Sequence, residues 1–164
     1  MQEFFWRTEM WHPLAVHFPI ALLPVATFSL FVSFFLRRER ARNWQNASAG
    51  LLLLGCAGAW LAIFTGDLAD GIVSRQICDP TVLKDHENAS FSMTWLFTAA
   101  AVVNIVAFSR YFNDSWKKWS SYLICVLLFI GSGFLVYAGH LGATLVYQQG
   151  AGVNKPSEDC ADFQ

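Results

Sequence analysis

Charge is what this sequence has least of. Only 14% of its 164 residues are Asp, Glu, Lys or Arg, against about 25% in an ordinary soluble domain. The 11 basic and 12 acidic residues leave a net charge of −1, so there is no basic field to hold nucleic acid. The four cysteines, Cys56, Cys78, Cys125 and Cys160, lack the close pairing of a zinc finger, and no Cys-x-x-Cys-His motif offers covalent haem attachment. Met1–Trp11 lacks a basic stretch followed by an apolar run and carries Glu3 and Glu9, so no cleavable leader is expected. What is present is apolar surface: 55% of residues are hydrophobic, which excludes an intrinsically disordered chain.

That surface is gathered into four runs, Leu14–Leu36, Ala47–Thr65, Ala89–Phe108 and Ser120–Val146. Each matches the roughly 20 residues a helix needs to cross a hydrocarbon core. A membrane β-barrel would alternate polar and apolar residues in segments of about ten, and these runs do not. The expected fold is all-α: one integral membrane domain, an up-down four-helix bundle with helices at about 12–36, 46–73, 81–109 and 119–148 and a tail at 149–164. Asp79-Pro80 marks the start of the third helix, because aspartate caps and proline suits the first helical position. Glycine and alanine in the second and fourth helices suit close helix packing.

Basic residues set the expected orientation. Arg37, Arg38, Arg40 and Arg42 follow the first helix, and Arg110, Lys117 and Lys118 follow the third. The opposite side holds only Arg7, Arg75, Lys84 and Lys155, so both termini are expected outside. Acidic residues collect on that outer side, and membrane lipid is the obligatory partner. Cys78 and Cys160 would both face an oxidising compartment and form a candidate disulfide.

The four histidines carry the chemistry. His12 and His17 open the first helix, His86 lies near the start of the third, and His140 lies in the outer third of the fourth. Ionisable residues in a span are costly and are functional candidates for that reason. Packing explanations stand beside this: His12 as a helix-start residue, His17 and His140 as hydrogen-bonded core groups. Two imidazoles on facing helices suit the axial positions of a b-type haem, drawn from His17, His86 and His140. Gly133 lies on the same helical face as His140, and with Gly139 it strips that surface of side chains, leaving room for a macrocycle. Alternatively His12, His17, His86 and His140 ligate a copper, iron or zinc ion. Asp67 and Asp70 then serve as ligands or as partners to an imidazole N–H. His12 and His17 stand about 140° apart on a regular helix, so they are no ready-made chelate.

His12-Pro13-Leu14-Ala15-Val16-His17-Phe18-Pro19-Ile20 resembles the His-Pro-Leu-x-Val-His-Phe-Pro-Ile signature of the bacterial membrane family called domain of unknown function 2231. His86 at the start of the third helix is similar to that family's pattern, as are Gly139-His140-Leu141-Gly142, Leu145-Val146-Tyr147 and Gly150-Ala151-Gly152-Val153. Ala143 departs from it where relatives often have glycine. The resemblance, from His12 to about Val153, implies a multi-pass, four-helix protein of the bacterial inner membrane. Some members are fused to periplasmic cytochrome c domains, which by analogy implies electron transfer. The leading expectation is therefore a membrane redox subunit binding haem b, passing electrons between the quinone pool and a periplasmic cytochrome or respiratory-complex partner. A non-haem copper or iron protein and a non-catalytic subunit of a larger complex are the alternatives. No nucleophile–base arrangement points to a stand-alone hydrolase.

Overall fold

The computed structural model describes residues 6–107 and 113–153. Within them a 3-10 turn at Thr8–Met10 leads into α1 (Trp11–Ala15) and α2 (His17–Ser33), followed by α3 (Arg38–Val73), α4 (Pro80–Ala107) and α5 (Asp114–Gln149). No strand occurs among the described residues. Thr8–Ser33, Arg38–Val73, Pro80–Ala107 and Asp114–Gln149 are each long and apolar enough to cross a membrane.

The first span breaks at Val16 for a local reason. Pro19 offers no N–H to the carbonyl of Ala15 and its ring presses on that carbonyl, so the regular ladder ends there. It resumes at once, with Ile20 N–H donating to the Val16 carbonyl at 3.2 Å. The third span starts as the Asp-Pro pair predicts: Thr81 N–H donates to Asp79 Oδ1 at 2.9 Å, and Pro80 is the first residue of α4.

At the arginine-rich end the helices run further than the apolar runs. α3 begins at Arg38 rather than near residue 46, and α5 at Asp114 rather than 119. Arg, Glu, Ala and Gln propagate a helix well outside hydrocarbon, and the side chain of Asn113 caps α5 by accepting from Trp116 N–H. α2 stops at Ser33, short of the expected 36, and α4 is described to Ala107. At its other end α5 closes at Gly150, whose φ of 67° lets Ala151 N–H turn back to the Leu145 carbonyl.

α2 packs on α3 and α4 on α5 as hairpins, and the hairpins meet along α3–α4 and α2–α5. Leu23, Ala26, Leu52, Phe97, Ala100 and Leu128 form the common core. Polar contacts stitch the interfaces. Ser48 Oγ donates to the Ala26 carbonyl at 2.8 Å, Thr27 Oγ1 meets Ser132 Oγ at 3.2 Å, and Trp60 Nε1 donates to Thr98 Oγ1 at 3.1 Å.

The hairpins repeat one another. A Cβ on Gly55 would strike Leu23, and a Cβ on Gly131 would strike Phe97. Leu23, Ala26, Leu52 and Ala15 correspond to Phe97, Ala100, Leu128 and Ala89, and all eight are buried. In the sequence, Leu51-Leu52, Gly55, Ala62 and Gly66 recur in register as Leu127-Leu128, Gly131, Ala138 and Gly142. His12 recurs as His86. The molecule is therefore a tandem pair of helical hairpins arranged about an approximate two-fold axis.

Candidate functional site: a paired-imidazole centre

The repeat places two histidines in equivalent positions near its axis. His12 on α1 and His86 on α4 are half-buried, with ring centroids 6.1 Å apart and planes at 88°. Each ring is held the same way by the second helix of its own hairpin. His12 Nδ1 donates to the Ala62 carbonyl at 2.9 Å, and His86 Nδ1 donates to the Ala138 carbonyl at 2.9 Å. A carbonyl can only accept, so both rings carry a proton on Nδ1, and in the neutral form of such a ring the lone pair is on Nε2.

Glycine one turn beyond each of those alanines makes the arrangement possible. A Cβ on Gly66 would lie 3.2 Å from Cε1 and Nδ1 of His12, and one on Gly142 would lie 3.2 Å from Cε1 of His86. Buried Ala15 and Ala89 stand one turn along from the two histidines. The centre is thus two Nδ1-anchored imidazoles in a setting of small residues. Neither ring has a donor for its Nε2 among the described residues.

The other expected site residues lie elsewhere. His17 is exposed, its Nδ1 donating back to the Pro13 carbonyl at 2.6 Å. His140 is exposed on α5. Gly133 and Gly139 are exposed too, and a Cβ on either would meet nothing within 4 Å. The partners of the paired imidazoles are backbone carbonyls rather than Asp67 or Asp70. Asp67 is exposed and Asp70 half-exposed. Among the described residues no three His, Cys, Asp or Glu side chains converge as a metal-holding group. Cys78 is exposed, whereas Cys160 lies outside the described residues and its pairing with it.

A family profile described as "Predicted membrane protein (DUF2231)" matches residues 10–155. The chain belongs to this family. No curated protein and no solved structure matches it. The matched stretch holds all four histidines and both hairpins of this DUF2231 protein.

Sequence reasoning named His12 as a candidate ligand without pairing it with His86. The signal for the pair was available in the repeat, which aligns His12 with His86 while aligning Ala62 and Gly66 with Ala138 and Gly142. His17 aligns with Phe91 and His140 with Phe64, so the repeat itself separates the paired histidines from the unpaired ones.

Proposed function

We propose that this DUF2231 protein is a membrane electron-transfer protein whose His12–His86 pair supplies both axial ligands of a b-type haem. The observation that carries the reading is the matched anchoring of two imidazoles through Nδ1. Metal-ligating histidines characteristically donate their other ring N–H to a carbonyl or carboxylate, which fixes the tautomer and aims the lone pair. The rings lie 6.1 Å apart with both Nδ1 atoms engaged, so the Nε2 atoms of His12 and His86 are the nitrogens that would hold a shared group.

The donor count favours haem over a bare ion. A tetrahedral or octahedral ion needs more ligands than two imidazoles give, whereas a porphyrin brings its own four nitrogens and leaves two axial places. Gly66 and Gly142 leave room for the two imidazoles that would hold the group. Haem contributes one-electron chemistry; His12 and His86 would hold it, and Ala62 and Ala138 would keep the imidazoles oriented.

In this reading the protein sits in the bacterial inner membrane with the histidine end outward. The arginines of Arg37–Arg42 and Lys117 and Lys118 lie at the opposite end. Asp67, Asp70, Asp79, Asp85 and Glu87 gather at the histidine end and would steer a basic periplasmic cytochrome. Detergent-purified protein tests the proposal by haem extraction and metal analysis. About one non-covalent haem per chain is expected. Stoichiometric copper or iron without porphyrin would replace haem with a bare ion at the same pair. Absence of both from protein still in its native membrane would leave a structural subunit.

A further inference from the structure

The repeat has two lateral seams, and they are not alike. At the arginine-rich end α2 and α5 are closed together by Thr27–Ser132, Phe31–Phe129 and Phe34–Tyr122. As the number rises on one helix in this series it falls on the other, so the helices run antiparallel. Continuing the register, His17 and His140 lie within about 3 Å of the same level.

Toward that level the seam opens. On a helical wheel Ile20 lies about 20° from Thr27 and Gly139 about 20° from Ser132, so each points toward the other helix. Yet Ile20 is 50% exposed, and Gly139 is exposed with empty space beyond its Cα. In the equivalent α3–α4 seam, Thr94 takes the place of Ile20 and is fully buried, and Ile63 takes the place of Gly139 and is half-buried. The 3-10 turn and α1 lean on α3 and not on α5.

The open seam is also the one with histidines. His17 and His140 each lie about 80° from the facing direction of their helix, at the two lips, where the closed seam has Phe91 and Phe64. We propose that this crevice is the docking site for the headgroup of a lipid-soluble quinone or quinol, with His17 and His140 as its hydrogen-bonding lips. The proposal rests on the redox reading above and gives it a membrane-side partner.

The chemistry of the walls selects the occupant. Neither Trp11–Ser33 nor Trp119–Gln149 contains an Asp, Glu, Lys or Arg, so a phospholipid phosphate would find no fixed cation there. A quinone ring is neutral, and its carbonyls or hydroxyls suit the donor and acceptor nitrogens of imidazoles. With Nδ1 donating to the Pro13 carbonyl, Nε2 is the nitrogen His17 would turn to the quinone or quinol headgroup. The crevice opens to the lipid face, where the isoprenoid tail would lie.

A photoreactive azido-benzoquinone with a short alkyl tail tests this on the full chain in phosphatidylethanolamine–phosphatidylglycerol nanodiscs. Label should fall within residues 14–22 and 133–144 and be competed by excess unlabelled short-chain quinone. It should drop roughly fivefold for each imidazole removed in His17→Ala and His140→Ala, the scale of one hydrogen bond. Ile20→Trp, which fills the crevice while leaving both histidines in the chain, should abolish it. Equal labelling of both seams, label that quinone does not compete, or label unchanged in Ile20→Trp would overturn the proposal. The haem band read on the same samples separates the two readings. Absence of competed label from the unsubstituted chain with the band intact rejects the crevice alone, and label without any band rejects the haem alone.

Discussion

His12 and His17 are close in sequence and opposite in fate. One is drawn to the axis of the repeat and anchored on Ala62; the other is exposed and bonds back to Pro13 within the same span. The first span is apolar nearly all round, so hydrophobic periodicity could not say which side faces inward. That is why four histidines were legible as candidates while the pair among them was not. Gly66 and Gly142 were equally hidden, because a glycine needed for an imidazole reads the same as one needed for a helix. Gly66→Ala and Gly142→Ala should each destabilise the protein by about 1–3 kcal/mol through overpacking against the rings. Gly133→Ala, facing open space, should be tolerated. Thermal unfolding in detergent checks all three.

At the scale of elements, hydropathy located all four spans and missed their polar ends. Arg38–Gln45 and Asp114–Lys118 continue their helices beyond any apolar window, and the Asn113 cap of α5 came to light only in the structure. The Asp79 cap was legible in full. Its carboxylate is held below the usual range by hydrogen bonds from the Thr81 hydroxyl and N–H. A carboxyl whose folded value is depressed stabilises above its unfolded value, and that stability is lost as pH falls through the folded one. The thermal midpoint should therefore fall below about pH 4, and Asp79→Ala should remove that part of the pH dependence. A midpoint equally acid-sensitive in the variant would remove the cap from the account.

For the whole molecule, the duplication explains more than the helix count does. It puts His12 opposite His86, and it makes the two seams comparable so that their differences carry meaning. A single pass along the chain did not reveal it, since Leu51–Gly66 and Leu127–Gly142 agree at a few packing positions and diverge on the lipid-facing surface. Orientation belongs to this scale as well. After mild reduction, a membrane-impermeant thiol reagent should label Cys78 in intact cells if the histidine end faces outward. Labelling only after the membrane is opened would reverse the proposed topology. With that orientation, binding of a basic periplasmic cytochrome should weaken as ionic strength rises, a trend that surface-immobilised protein can report.

The paired imidazoles are the centre of this account, and reduced-minus-oxidised optical spectra of single-histidine variants test them most directly. Wild type, His17→Ala and His140→Ala should show the sharp α and Soret bands of a reduced b-type haem, and His12→Ala and His86→Ala should each lose or grossly shift them. Bands that survive unchanged in both His12→Ala and His86→Ala would contradict the assignment of the axial pair.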